Sequence, residues 1–222
     1  MAYRECWDYQ LSLFDAMLRS KRSGATAEER LAESNAGWIL FVEHNPVYTL
    51  GKSGKAENIL FSEAMLERIG AEFFHIERGG DVTFHGPGQI VGYPILDLEK
   101  IGIGLREYIE ALEQSVIDLL KQWGIQAGRI AGASGVWIEP ESVRARKICA
   151  IGVRASRYVT MHGFAFNVAT DLRYFSYINP CGFVDKGVTS LEKELGHKVD
   201  FEQVKLELLN QLKEKLDVKI YK

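Results

Sequence analysis

RGGDVTFHGPGQIVGYPILDL, residues 78–98, sets four glycines, one proline and one histidine in its first eleven positions and then turns almost wholly apolar. A glycine-rich loop admits three readings: a tight turn, a phosphate cradle, or a wall of bare backbone against which a substrate lies. A P-loop ends in Gly-Lys-Ser/Thr and opens a helix, whereas Gly86-Pro87-Gly88 feeds a strand pattern. A dinucleotide fingerprint has different glycine spacing and also needs a helix behind it. The stretch therefore reads as a glycine loop leading into a strand, QIVGYPILDL (89–98), with His85 beside the loop.

Strand and helix signals continue on both sides. AEFFHIE (71–77) runs as a strand into the loop, and SEAMLERIG (62–70) carries the N-cap serine, following glutamate and terminal glycine of a helix. GWILFVEH (37–44) reads as a buried strand stopped by Asn45-Pro46, with VYTLG as a short continuation, and residues 6–22 as an amphipathic helix followed by the polar break SGATAEER. Beyond the loop, a long helix is expected from Leu105 to Trp123, ended by Gly124, with Tyr108, Ile109, Leu112, Val116, Leu119 and Leu120 as its apolar positions. RKICAIGVRAS and YVTMHGFAFNV flank a turn near Ser156-Arg157 and read as a hairpin, and Phe201 to Leu216 as a closing helix. No repeat, low-complexity stretch or Pro/Ser-rich linker intervenes. The pattern predicts an α+β fold over 1–222, a single domain with a mixed, mainly antiparallel sheet flanked by helices.

With 222 residues, 46% hydrophobic and 26% charged, the chain is long enough for one large core. A formal net charge of −3 disfavours nucleic-acid binding through bulk charge. Arg4, Glu5 and Asp8 interrupt the N-terminus where a signal peptide needs an apolar run, and no stretch approaches the ~20 apolar residues of a membrane span. The expectation is a soluble, cytoplasmic protein without membrane contact. Three cysteines at wide spacing suit free thiols. His44, His75, His85, His162 and His197 show no metal-ligand spacing, so no metal is expected; no cofactor is expected either.

Among the cysteines, Cys6 sits in the first helix and Cys149 in an apolar strand, where burial makes a thiol inert, while Cys181 lies between Pro180 and Gly182 in YINPCGF. A thiol of pKa ~8.5 needs a nearby cation or base to act as a nucleophile at neutral pH. Lys147 interrupts the apolar strand KICAIG and is a candidate cation. In a regular strand Lys147 and Cys149 share a face, so spacing leaves Cys149 and Cys181 both open as its partner.

RGGDVTFHGPGQIVGYPI, RKICAIGVR, HGFAFNV and NPCG, in this order and preceded by LFVEHNPVYTLGKSG, resemble the octanoyltransferase (LipB) family of lipoate biosynthesis, over about Asn35 to Leu195. The resemblance implies the fold shared by lipoate and biotin protein ligases. It implies ATP-independent transfer of an octanoyl group from octanoyl-acyl carrier protein to a lysine of lipoyl domains, those of 2-oxoacid dehydrogenase complexes and the glycine cleavage H protein. Matched position by position, Cys181 is the acyl-thioester nucleophile and Lys147 the group that lowers its pKa. The substrate pocket is then walled by Arg78, Gly79, Gly80, Asp81, Val82, Thr83, Phe84 and His85, by Ala150, Ile151 and Gly152, and by Gly163, Phe164 and Ala165. Phe84 stands where the family usually has tyrosine. On this reading glycines keep a narrow acyl slot open, and Arg78 and His85 at its mouth are candidate donors to a tetrahedral oxyanion. Arg144, Arg146, Arg154 and Arg157, in a span without carboxylates, form a candidate docking strip for an acidic carrier.

Overall fold

Strands Arg146–Ser156 and Val159–Asn167 pair antiparallel in unbroken register from Cys149↔Phe166 to Ser156↔Val159. Arg157 and Tyr158 alone connect them, both with positive φ, 49° and 63°. That is a type I′ connection, whose twist matches a hairpin, and it sits one residue beyond the turn expected at Ser156-Arg157.

The structure, a computed structural model, describes residues 1–21, 26, 35–179 and 186–219. In chain order its elements are helix α1 (Tyr3–Ser20), strands β1 (Gly37–Val42) and β2 (Val47–Leu50), helix α2 (Glu63–Ile69), strands β3 (Glu72–His75), β4 (Val82–His85) and β5 (Gln89–Leu96), helices α3 (Leu98–Ile101) and α4 (Leu105–Gln122), strands β6 (Ala127–Ile130), β7 (Ala133–Ile138), β8 (Arg146–Ser156), β9 (Val159–Asn167) and β10 (Gly187–Val188), and helices α5 (Leu191–Leu195) and α6 (Phe201–Leu216). The fold is α+β, as expected. There are two sheets among the described residues, not one. The larger runs β1-β5-β9-β8-β7-β6 with antiparallel neighbours, and β10 pairs parallel with β8. The smaller places β2 between β3, parallel, and β4, antiparallel.

The VYTL segment is therefore no continuation of β1. Pro46 lacks the N–H that would carry the first strand's pairing onward, and all four residues of β2 are buried, which suits a strand paired on both edges.

Alternation along β9 shows how helices cover the larger sheet. Phe164 and Phe166 join a core with Leu112, Val116 and Leu119 of α4 and Val204, Leu208 and Leu212 of α6. Ala165, between them, packs with Cys6 of α1, Val91 and Tyr93. Successive side chains of a strand point to opposite faces, so α1 covers one face and α4 with α6 the other. The smaller sheet has its own aromatic core of Tyr48, Val82, Phe84 and Ile178.

Candidate active site

Between the 78–85 segment and strands β8 and β9 lies a cavity of about 490 Å³. Its near wall is a loop fastened by its own polar side chains. The Arg78 guanidinium donates to the Thr49 carbonyl oxygen at 2.7 Å, to Thr49 Oγ1 at 3.0 Å and to the Gly79 carbonyl oxygen at 3.0 Å. Asp81 accepts from Asn58 Nδ2 at 2.5 Å and from the Val82 N–H at 2.7 Å. The Gly79 N–H then donates 2.9 Å to the Val153 carbonyl of β8. This crossing requires glycine: a Cβ on Gly152 would lie 2.7 Å from the Gly79 carbonyl oxygen. Arg78 is a buried loop clasp, 7% exposed, not a donor standing at a mouth.

Every pocket residue expected from the sequence lines the cavity except Phe84. The Phe84 ring turns instead into the core of the smaller sheet. Its ring stacks on Tyr174 at 4.5 Å and 9° and lies 5.2 Å from Tyr48. A tyrosine hydroxyl at this position would belong to that cluster rather than to the cavity.

His85 does face the cavity, and its hydrogen-bonding role is set by a chain of partners. The Thr189 carbonyl can only accept, and it takes Asn167 Nδ2 at 3.0 Å. Asn167 Oδ1 then accepts from Gln89 Nε2 at 2.8 Å, which also donates to the Phe84 carbonyl at 3.2 Å. Gln89 Oε1 is left to accept at 2.8 Å from His85 Nδ1. The proton of His85 therefore sits on Nδ1, and Nε2 offers a lone pair. Burial, and then the neighbouring His44, push its pKa down to about 3. A neutral ring with a bare Nε2 accepts hydrogen bonds, which reverses the oxyanion-donor role expected from the sequence.

Lys147 lines the cavity from β8. Its Nζ donates to the Ser134 carbonyl at 3.1 Å and lies 4.6 Å from the Trp137 ring centroid. The Cys149 thiol, fully buried, faces the Ala150 carbonyl oxygen at 3.6 Å, and burial pushes its pKa up despite Lys147. Cys6 is also buried and pushed up to about 11. Neither thiol is poised to ionise near neutral pH. Cys181 lies outside the described residues. The described chain resumes at Lys186 in the cavity wall, and Val188 pairs with Lys147.

The four arginines do not form a strip. Arg146 pairs with Glu194 at 2.5 Å and Glu139 at 2.8 Å, Arg144 with Glu139 at 2.9 Å and Arg154 with Glu77 at 3.0 Å. Their carboxylates come from segments outside 144–157, which a search of that span alone does not reveal. Eleven residues of β8, at about 3.3 Å each, also set Arg157 far from Arg146. Among the described residues no three His, Cys, Asp or Glu side chains converge to hold a metal ion, and no helix is long and apolar enough to cross a membrane.

Several cavity residues escaped the sequence reading: Tyr3, Gln89, Tyr93, Ser134, Asn167 and His162. His162 is 2% exposed with a φ of 61°, and its Nε2 has no hydrogen-bond partner among the described residues. Burial, with the Arg78 and Arg154 charges, lowers its pKa to about 3. A polar residue at an otherwise apolar position of a buried strand was the available signal.

Comparison with known proteins follows the same outline. The chain is 56% identical over 210 residues to an octanoyltransferase of Bacteroides fragilis, covering 95% of this chain and 91% of that one. An octanoyltransferase of Flavobacterium johnsoniae is 53% identical over 211 residues, covering 95% and 90%. Among solved structures, a bipartite lipoate protein ligase from Thermoplasma acidophilum superposes with a TM-score of 0.66 at 16% identity, covering 97% of this chain and 82% of that one. The match to the family runs over residues 3–213, nearly the whole chain, and on that ground the protein belongs to the lipoyl protein ligase A/B catalytic domain family.

Proposed function

We propose that this chain is an acyltransferase that moves an octanoyl group in protein lipoylation, from octanoyl-acyl carrier protein to a lysine of lipoyl domains, through a thioester on Cys181. Lipoyl domains of 2-oxoacid dehydrogenase complexes and the glycine cleavage H protein are the acceptors of this reading, and the cytoplasm its compartment. The observation that carries it is the cavity: an acyl-sized slot with Val91, Ile151, Phe164 and Ala165 in its walls and two lysines at its edge, Lys186 and, on the strand beside which the chain returns at β10, Lys147. The names of the relatives supply the acyl group. From Lys147 to Gly152 the strand runs about 17 Å, and an extended eight-carbon chain, advancing about 1.25 Å along its axis per ~1.5 Å bond, spans about 9 Å.

In the first half-reaction the Cys181 thiolate attacks the thioester carbonyl, the C–S bond to the carrier breaks, and Lys147 gives the leaving sulfur a proton. In the second, the acceptor amine attacks the enzyme thioester, the amide forms and the Cys181 thiolate is released. Lys147 recovers the proton that the amine loses. His85 Nε2, an acceptor, takes a hydrogen bond from the attacking amine. The acyl group arrives activated, so no ATP enters.

Incubation with octanoyl-carrier, without ATP, followed by intact-mass measurement tests this reading. The native chain gains one octanoyl group and loses it to an added lipoyl domain, while Cys181→Ser gains none. Equal capture by Cys181→Ser, or no capture by either, refutes it.

A further inference from the structure

The buried side of α4 carries one charged residue. Tyr108, Leu112, Val116, Leu119 and Leu120 are apolar, but Glu113 between them is only 6% exposed. One carboxylate oxygen accepts from Arg129 Nε at 2.7 Å, and the other accepts from the Gly135 N–H at 2.9 Å. The Gly135 N–H and the Ser134 carbonyl are two ends of one peptide group, and that carbonyl takes Lys147 Nζ at 3.1 Å. A carboxylate, a single peptide dipole and an ammonium thus stand head to tail, each strengthening the next bond.

The backbone around this unit is shaped for it. Gly135 has a φ of 117°, and a Cβ there would run into the Cys149 carbonyl oxygen. The β7–β8 register begins at Val136 and slips between Val136 and Trp137, leaving the Ser134 carbonyl outside the ladder and turned to Lys147. A buried carboxylate is costly to keep in a core where an apolar side chain would serve packing.

We propose that Glu113 is a positioning residue for Lys147, holding and biasing its ammonium through the 134–135 peptide, with Arg129 setting how much of the carboxylate's charge is felt. The inference rests on the acyl-transfer role proposed for Lys147. The charged and titratable groups on elements packed around Lys147 are Cys149 on its own strand, Glu113 of α4, Arg129 of β6, Lys186 ahead of β10, and Arg146 with its partners Glu139 and Glu194. Of these, Glu113 is the one joined to Lys147 through a shared peptide group.

Trace labelling of amines with acetic anhydride across pH, read at Lys147 by peptide mass spectrometry, tests the relay in the free enzyme. Glu113→Gln moves the labelling midpoint down by roughly half to one pH unit. Arg129→Met leaves the carboxylate but removes its neutralising partner, and moves the midpoint up. A purely structural role for Glu113 lowers thermal stability in both variants without opposite shifts, and that result overturns the proposal. Should Glu113→Gln not fold, an unmoved midpoint in Arg129→Met overturns it alone. Opposite shifts in a protein that captures no octanoyl group uphold the relay and refute the acyltransferase reading.

Discussion

Lowering the pH from 7.5 to 5.0 should destabilise this fold far more than ordinary surface titration does. Three histidines are buried, His44 at 1%, His85 at 6% and His162 at 2% exposure. Burial, the first cause in each, lowers their pKa values to about 4, 3 and 3. In the unfolded chain each titrates near 6.5. Between the two values the unfolded state binds the extra proton, so stability is complete above about pH 6.5 and falls as pH drops toward the folded values. At pH 5.0 each ring has cost about 2 kcal/mol, and the three about 6 kcal/mol together, on the order of half of a domain's whole stability. The window is clean on the acidic side. The carboxylates with shifted values, Asp118, Glu139, Asp171 and Glu194, are all lowered and lose their contribution only below the ordinary carboxylate range. Urea unfolding followed by tryptophan fluorescence at pH 7.5, 6.5, 5.5 and 5.0 reads the slope. It should steepen toward three protons, and His162→Phe should remove about one of them. A free energy of unfolding that stays level from 7.5 to 5.0 would refute the placement of these rings as neutral and buried.

Two substitutions examine the cavity wall and the sulfur assignment. Gly152→Ala drives a methyl group against the Gly79 carbonyl oxygen, so overpacking of about 1–3 kcal/mol should appear as a lower Tm, with octanoyl transfer reduced at least tenfold by displacement of the loop; a scanning calorimeter and a transfer assay that both read as wild type would remove this contact from the account. Cys149→Ala should cost about 1 kcal/mol in stability while leaving octanoyl capture within threefold of wild type; loss of capture would move the nucleophile to the core strand.

What could be read from the sequence was what local chemistry decides. Helix α6 spans Phe201–Leu216 as read, because Asp200 caps its first turn through the Glu202 and Gln203 N–H groups and Asp217 ends it in a left-handed conformation. Helix α2 follows the same rule from Ser62 to Gly70. The second sheet was not legible, since Val47 meets Glu72 and His85 only after all of α2 and the glycine loop have folded between them, and nothing in VYTL names its partners. The cavity wall was legible as blocks of glycine and small residues, with one exception at Phe84, whose ring packs on Tyr48 and Tyr174 instead. The relation of Lys147 to Cys149 was misleading for a physical reason: a regular strand puts them on one face, but the bulge opposite, between Val136 and Trp137, gives Lys147 its own carbonyl at Ser134. Glu113 carried a signal that went unread. It interrupts the apolar stripe Ile109, Val116, Leu120 at helical spacing, and a charge there must have a buried partner.

The two polar assemblies that reach the cavity share a principle that residue types alone do not express. His85 is an acceptor because the series behind it ends on the Thr189 carbonyl, which cannot donate. Lys147 is held as a donor because it ends on the Ser134 carbonyl, whose peptide is polarised from the other side by Glu113. The Thr189 N–H in turn is fixed 3.0 Å from the Lys147 carbonyl, so the backbone that orients one group also registers the other. An acceptor and a donor are thereby presented to one acyl-sized space from opposite ends of a single hydrogen-bonded frame. In the proposed acyl transfer the two serve different half-reactions: the carrier's departing sulfur takes its proton from Lys147, and the attacking amine then meets the lone pair of His85. Swapping the polarity of either chain, rather than deleting either side chain, is the change this frame tolerates least, since every group behind it would then face a like partner.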